Sequence, residues 1–512
     1  MADPLLPQLL PICGSLREAL GRTGYDADGV LALLGADAHA ALGRDEVVPV
    51  RRAVRGGGEL ATLVRLFLLG DACPAAEVAA ALVPLALPAA VGAGLIEADG
   101  AAVRAALDVR PLDTGVGSRW VVADLDAGRS SGLDERAYVP GVGQASVSLL
   151  RTVPTTPVSS LLDLGTGCGV QAVHAYGHAA SVSATDVSAR ALAMARATFA
   201  LNAMRVELLE GSWFEPVNGR QFDQIVANPP FVVGPAQIRN VYRDSGLDLD
   251  GASELVIRAA PRHLAPGGTA TVLASWVHVR GQDWRERVAS WVPEHGVDAW
   301  FVQRDVADPA LYVGTWLRDG GVDPRSAEGT RRSEGWLEHF ARADVEGIGF
   351  GYVSLRRTDE PSDVLAEDLL HAYPDPLGPE VLDYLQRVAW LRSHELLDAR
   401  FSVAPSTALQ RVSVPGRDGW QQVSTPAPQR RARVGARGGR ARRRAARRDA
   451  ARRVERRRAG GHAGTRQRRT TGIAAVRRNG LGGRPGTPWP GAACGARHTG
   501  VLSLAIIVCR RL

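Results

Sequence analysis

The fold is decided by Leu161-Leu162-Asp163-Leu164-Gly165-Thr166-Gly167-Cys168-Gly169, where an apolar run passes directly into a glycine-rich turn. The residues from 170 onward are typical of the first turn of a helix. Glycine lets the backbone approach a ligand closely, and the N-terminus of a helix faces that ligand. The glycines follow GxGxG, whereas a dinucleotide fingerprint would need glycine where Val170 stands. The stretch therefore predicts a strand–turn–helix unit that binds a small ligand.

A second acidic residue supports this ligand site. Asp186 ends the next predicted strand, 23 residues after Asp163. In parallel α/β sheets an acid at this point can hold both hydroxyl groups of a ribose. Either acid could instead cap a turn, but their order along the chain favours ligand binding.

The segment Asn228-Pro229-Pro230-Phe231 follows the fourth predicted strand. Its prolines lack backbone donors and hold the chain rigid. This leaves the Asn228 side-chain oxygen and the Pro229 carbonyl as two fixed acceptors. Two such acceptors suit a planar NH2 group, and the ring of Phe231 can stack on the flat face of the substrate. A simple turn is the alternative, which the position after a GxGxG site disfavours.

Apolar strands alternate with helical stretches from residue 158 to about 357. This alternation predicts a doubly wound α/β sheet of about seven strands, with ligands at the carboxyl ends of the strands. The predicted strands are 159–164, 181–186, 205–210, 224–227, 269–275, 297–303 and 349–356.

The two motifs together resemble class I S-adenosylmethionine-dependent methyltransferases of the amino-group type. This group includes rRNA guanine-N2 methyltransferases and release-factor glutamine methyltransferases, and the resemblance covers residues 130–280. It implies a Rossmann-type methyltransferase core with S-adenosyl-L-methionine as cofactor and no metal. The implied catalytic residues are Asn228, Pro229, Pro230 and Phe231. The implied cofactor-binding residues are Asp163, Gly165, Thr166, Gly167, Gly169, Asp186, Gly211, Ser212 and Asn228.

The leading expectation for the substrate is an exocyclic amine of a nucleobase in RNA, either rRNA or tRNA. The first alternative is the glutamine amide of a protein such as a release factor. A third is a non-catalytic DNA-binding regulator with a methyltransferase fold. We also expect Arg239, Arg243 and Asp244, just after the Asn-Pro-Pro-Phe loop, either to frame the substrate or to be merely solvated.

The sequence pattern of residues 1–115 predicts a helical, winged-helix-like domain. Its predicted elements are helices at 59–69, 74–82 and 84–95 and two short strands around an Asp-Gly turn within 95–109. Such a domain can dock on nucleic acid or serve as a packing cap. No basic residue lies between Arg65 and Arg104, which favours the cap. The methyltransferase domain is then expected at 116–357 and a C-terminal appendix, with a helix at 378–399, at 358–422.

The composition excludes several classes of enzyme. All 61 basic residues are arginine, so a P-loop, a protein kinase and a pyridoxal phosphate enzyme cannot be built. The five cysteines are scattered, and the N-terminal residues lack an export pattern, which predicts a reduced cytoplasmic protein without a structural metal. No run is long and apolar enough for a membrane span.

The formal net charge of +7 is unevenly distributed. Residues 421–512 contain 24 arginines and only two acids, Asp449 and Glu455, while the preceding 420 residues carry 37 basic and 52 acidic groups. The part expected to fold is therefore acidic. Residues 423–512 lack apolar periodicity and predict a disordered arginine-rich tail. Such a tail could bind RNA or could arise from a frameshift near residue 425, which resequencing of the 3′ end would test.

Overall fold

The computed structural model describes residues 6–125, 137–236, 241–369, 376–395, 398–399, 407–412 and 421–426. Contacts divide the chain into two compact units, of which the first holds the described residues up to Trp390. The second contains an antiparallel pair of strands, Thr407–Val412 and Gln421–Pro426. The predicted arginine-rich tail otherwise lies outside the described residues.

The N-terminal part is helical and ends in a small sheet. The three predicted helices are present as Glu59–Leu63 with its continuation Val64–Leu68, Ala75–Ala81 and Leu87–Gly92. The predicted hairpin joins Ile96–Asp99 to Ala102–Ala105, and Cys73–Pro74 pairs with its second strand. Further helices precede these elements at Leu6–Leu9, Cys13–Thr23, Ala27–Leu42 and Val47–Ala53.

A second hairpin, Leu107–Asp113 with Ser118–Asp124, crosses residue 115, where a domain boundary was expected. Helix Ala189–Leu201 covers its outer strand. The Asn202 amide accepts a hydrogen bond from the Trp120 N–H (3.0 Å) and donates one to the Trp120 carbonyl (2.6 Å). The Thr198 hydroxyl accepts a hydrogen bond from the Val122 N–H (2.9 Å). Side chains thereby satisfy the backbone groups that an edge strand would leave unpaired.

Eight strands form the main sheet within the described part of the chain. In chain order we label them β1 to β8: Val158–Leu164, Ala179–Asp186, Glu207–Glu210, Phe222–Ala227, Leu264–Val279, His295–Ala307, Val345–Pro361 and Asp363–Asp368. Their order across the sheet is β8-β6-β7-β5-β4-β1-β2-β3, and β7 runs antiparallel to its neighbours β5 and β6.

The seven predicted strands are all present, and the described residues add an eighth strand that the sequence does not predict. The eighth, β8, lies in the segment expected to be an appendix. After β7 ends, the chain turns around the start of β6, where the Ser362 N–H donates to the Glu294 carbonyl (2.9 Å), and β8 then pairs parallel to β6. Its sequence, Asp-Val-Leu-Ala-Glu-Asp, is short, half-exposed and acidic at the ends, so it lacks the apolar pattern of a buried strand.

Helices cover both faces of the sheet. They are Val170–Ala175, Ala189–Leu201, Gly251–Ala259, Trp284–Ala289, Pro309–Asp319 and Ala327–Arg342. The central strands are apolar on both sides because both sides are covered, and Leu162, Ile225 and Val272 are fully buried.

A further helix, Gly378–Ser393, confirms the predicted helix at 378–399 but ends earlier. The Gly378 N–H donates to the Arg151 carbonyl (3.1 Å), and the ring of Tyr384 stacks on Trp300 with centroids 4.7 Å apart. Among the described helices, none combines the length and apolar character needed to cross a membrane.

The contact between Asn202 and the hairpin yields a stability prediction. Asn202→Ala leaves the N–H and the carbonyl of Trp120 without their side-chain partner, which we expect to cost about 2 kcal/mol of unfolding free energy. Urea unfolding followed by tryptophan fluorescence measures this change. An unchanged transition midpoint would show that the edge strand does not depend on Asn202.

Candidate functional site

A pocket opens at the carboxyl ends of β1, β2 and β4, the edge at which the sequence predicts ligand binding. Residues 138–141 and 146 form one part of the lining, and the wall formed by residues 241–245 contributes Val241, Tyr242, Asp244 and Ser245 to it. Nine of the predicted site residues line it: Gly165, Thr166, Gly167, Asp186, Gly211, Ser212, Asn228, Pro229 and Pro230. Three others, Asp163, Gly169 and Phe231, are not among the lining residues.

The glycine turn has the backbone conformation that its composition predicts. Gly165, Gly167 and Gly169 have φ angles of 74°, 55° and 94°, a region that residues with a side chain rarely adopt. A Cβ on Gly167 would meet no atom within 4 Å, whereas one on Gly169 would lie 2.8 Å from the Phe199 ring. Gly167 therefore keeps space open towards the pocket, and Gly169 permits close packing of the turn against a helix.

Asp163 stabilises the glycine turn from the buried side. Its carboxylate accepts hydrogen bonds from the Thr166 hydroxyl (2.7 Å) and the Ala172 N–H (3.0 Å), and the residue is fully buried. Burial raises its pKa from 3.8 to about 7, against the lowering effect of these two bonds, and the charge of Asp186 raises it further. Asp163 thus holds the loop that lines the pocket without reaching the pocket itself.

Asp186 connects the ends of two adjacent strands. Its carboxylate accepts from the Gly167 N–H (2.9 Å) and from the Ser188 N–H (2.8 Å), and its carbonyl accepts from the Gly211 N–H (3.0 Å). Burial raises the pKa of this carboxyl above its ordinary value, while the backbone donors oppose that shift. One residue therefore fixes the glycine turn and the loop that carries Gly211 and Ser212.

Asn228 presents an unused acceptor. Its Nδ2 donates to the Ser146 hydroxyl (3.3 Å), whereas its Oδ1 is buried and has no hydrogen-bond partner among the described residues. A buried amide oxygen without a partner is costly unless a ligand supplies a donor. With Pro229 and Pro230 beside it in the pocket lining, this oxygen is placed to receive an N–H group.

The ring of Phe231 lies behind the pocket. It is buried against Trp316 and Phe350, with ring centroids 6.3 Å and 5.5 Å away. The sequence predicts that this ring stacks on the substrate, but the structure does not bring it into the lining. The aromatic rings in the lining belong to Tyr138, Trp213 and Tyr242, and those of Tyr138 and Tyr242 meet edge to face at 5.6 Å.

Some lining residues lie outside the two motifs that predict the site, among them Ser146 and Gln171. Ser146 orients the Asn228 amide, and the side chain of Gln171 donates to the Ser146 carbonyl (2.9 Å). The glycine-rich segment from Tyr138 to Ser146 was the available signal, since its composition predicts a loop close before the glycine turn.

Arg243 and Asp244 do not stand free in a solvated loop. The Arg243 guanidinium is buried, where it donates to Asp319 (3.0 Å) and to the Trp316 carbonyl (3.2 Å) and lies 3.6 Å from Asp244. The Arg243 carbonyl in turn accepts from the Val232 N–H (3.2 Å). Arg243 therefore anchors the pocket wall, while Arg239 lies outside the described residues.

Comparison with known families agrees with this geometry. Residues 140–279 match the family described as methyltransferase small domain. Residues 22–106 and 382–430 match two families described as domains of unknown function.

Two similar curated proteins, from Klebsiella pneumoniae and Salmonella newport, are named ribosomal RNA small subunit methyltransferase C. The chain is 36% identical to each over 137 residues, which is 26% of this chain and 36% of theirs. The chain thus spans about a third of the length of these relatives.

Solved structures match parts of the chain at lower identity. One is a 16S rRNA N2 methyltransferase of T. thermophilus, whose structure was determined in complex with AdoMet and guanosine. It is 19% identical, and the match covers 49% of this chain and 65% of that chain with a TM-score of 0.27. A methyltransferase of Pyrococcus furiosus is 22% identical, covering 30% of this chain and 74% of that one with a TM-score of 0.22.

The pKa of Asp163 yields a prediction for stability against pH. Because its folded pKa of about 7 exceeds its ordinary value of 3.8, the folded protein keeps a proton that the unfolded chain has released. The contribution of the Asp163 carboxyl to the free energy of unfolding is fully present below about pH 4. It is lost as the pH rises to 7, by up to about 1.4 kcal/mol per pH unit. Asp163→Asn removes this dependence.

Denaturant unfolding of both proteins across this range measures the difference. We expect the wild type to lose unfolding free energy relative to Asp163→Asn as the pH increases. Parallel pH curves for the two proteins would contradict the raised pKa.

Proposed function

We propose that this chain, whose central domain is a class I S-adenosylmethionine-dependent methyltransferase domain, methylates an exocyclic amino group of a nucleobase in ribosomal RNA. The observation that carries the proposal is the buried Asn228 Oδ1, which has no partner among the described residues and stands beside two prolines in the pocket. An acceptor held in this way suits a planar amino group that arrives with its own donors.

The residues present fit S-adenosylmethionine. Space at Gly167 lets a ligand approach the backbone, and the carboxylate of Asp186 stands in the lining where ribose hydroxyls can donate to it. Gly211 and Ser212 would border the adenine. When bound, the cofactor supplies an electrophilic methyl group on a sulfonium.

The protein's part in the reaction is to position and desolvate the amino group. The Asn228 Oδ1 and the Pro229 carbonyl would accept hydrogen bonds from its two hydrogens, so that the nitrogen lone pair points away from both. The Ser146 hydroxyl accepts from the Asn228 Nδ2, an orientation that leaves Oδ1 as the acceptor for the substrate. No strong base is needed, because the nitrogen can release its proton to water after the methyl group has been transferred. Positioning of the amino group therefore accounts for most of the rate.

Two observations favour a nucleobase as the bearer of this amino group. The relatives at 36% identity are named for ribosomal RNA, and Tyr138 and Tyr242 add flat aromatic surface to the pocket lining. Aromatic side chains stack on unpaired bases of single-stranded RNA. A protein glutamine amide, the alternative, offers the same N–H donors but no aromatic face. The cytoplasmic location stays a prediction.

Asn228→Ala tests the proposal. Removing the side-chain acceptor should lower kcat by about 10²- to 10³-fold, the range for loss of a positioned hydrogen-bonding group, and leave cofactor affinity largely unchanged. Methyl transfer to ribosomal RNA from cells lacking the protein gives kcat, and calorimetric titration with the cofactor gives its affinity.

Asn218→Ala is the matched control, because Asn218 is exposed and lies outside the pocket lining. We expect this variant to keep wild-type kcat. Retained turnover in Asn228→Ala would refute the role of Asn228, and turnover lost in both variants would show a general loss of folding.

A further inference from the structure

A second groove adjoins the catalytic pocket. Asp244 and Ser245 line both cavities, so the groove continues from the pocket at the wall formed by residues 241–245. One of its sides is formed by Arg331, Arg332, Gly335, Trp336, His339 and Arg342, which share one face of helix Ala327–Arg342. We call these residues the groove face.

The helix belongs to an insert, residues 308–344, between strands β6 and β7. Strand β7 begins beside the end of β5, so the insert stands at the carboxyl edge of the sheet together with the pocket. The Val233 N–H donates to the Tyr312 hydroxyl (2.8 Å). The Trp336 indole lies against Gly234, where a Cβ would approach its Nε1 to 2.5 Å. These contacts join the insert to the segment directly after Phe231.

The groove face carries cations whose charge is only partly balanced. Arg331 and Arg342 are exposed and form no ion pair with any described residue. Arg332 lies 3.2 Å from Glu328, and His339 lies 2.8 Å from Asp248. These arginines stand out because the first 420 residues carry 52 acidic against 37 basic groups.

We propose that the groove face binds the phosphates of an RNA strand next to the nucleotide held in the pocket, an inference that rests on the proposed function. A base that enters a pocket carries its flanking backbone with it, and the neighbouring phosphates must lie near the pocket mouth. Arginine is suited to them because its planar fork donates two parallel hydrogen bonds to phosphate oxygens. Trp336 adds an aromatic surface for a flanking base.

The groove also explains how the first 420 residues, which carry more acidic than basic groups, can bind a polyanionic substrate. Favourable charge is concentrated where the backbone passes the site, so binding needs no broad basic surface. Each phosphate contacted by an arginine releases counterions, which makes the affinity depend on salt by a predictable amount.

The double variant Arg331→Glu/Arg342→Glu tests the proposal in the full chain. The probe is ribosomal RNA from cells lacking the protein, with affinity measured by filter binding at several salt concentrations. We expect weaker binding and a log–log salt slope shallower by about 1.4, or about 0.7 for each lost single-strand phosphate contact. The arginines beyond residue 423 are the same in both proteins and cancel in this difference.

Arg262→Glu is the control for charge reversal. Arg262 is exposed and lies two residues before the start of β5, at the opposite edge of the sheet from the pocket. We expect the Arg262→Glu variant to keep the salt slope of the wild type. An unchanged slope in the double variant would overturn the proposal, as would equal losses in the double variant and the control.

Gly335 provides a test that keeps every arginine. A Cβ there would meet no atom within 4 Å, so a longer side chain fits the fold. Gly335→Glu should weaken RNA binding more than Gly335→Gln, because only the glutamate repels phosphate. Wild-type affinity in both variants would contradict an RNA strand in the groove.

The outcomes separate this inference from the proposed function. If the wild type fails to methylate the RNA but the double variant still loses salt-dependent RNA binding, the proposed reaction fails and the groove stands. If the RNA is methylated with the same KM by wild type and double variant, the groove proposal fails alone. If the wild type binds polyglutamate and the double variant does not, while both bind RNA equally well, the groove belongs to an acidic peptide and the proposal is overturned.

Discussion

The hydrogen bond from the Gly167 N–H to the Asp186 carboxylate is the constraint on which the site depends. It ties the turn after β1 to the end of β2, and the Asp186 carbonyl holds Gly211 at the end of β3. Both contacts require glycine: Gly167 has a positive φ, and a Cβ on Gly211 would lie 2.5 Å from Pro216. Three loops at the carboxyl edge of the sheet are thus fixed relative to one another by one acidic residue.

A second set of contacts fixes the substrate side of the pocket. Ser146 orients the Asn228 amide, and the buried pair of Arg243 with Asp319 holds the wall of residues 241–245 to the insert. The unused acceptor at Asn228 lies between these rigid parts. Desolvated groups held in this way act on a substrate without having to reorganise, which is the contribution that a methyl-transfer site requires of its protein.

Much of this site could be predicted from local sequence. The glycine turn, Asp186 and the Asn-Pro-Pro motif each follow an apolar strand, and parallel strands bring their carboxyl ends together whatever the details of packing. Phe231 could not be placed in the same way, because its environment depends on Trp316 and Phe350, which lie far along the chain. The burial of Arg243 likewise depends on its ion pair with Asp319. Strand β8 forms because it pairs with β6, and its own sequence lacks the apolar pattern of a strand.

The central claim is that this chain methylates a nucleobase amine in RNA. The most direct measurement is to incubate the full chain with methyl-labelled S-adenosylmethionine and an extract of cells lacking the protein, and then to treat the product with ribonuclease or protease. The account predicts that ribonuclease alone releases the label. Label released only by protease would contradict it and would assign the amino group to a protein.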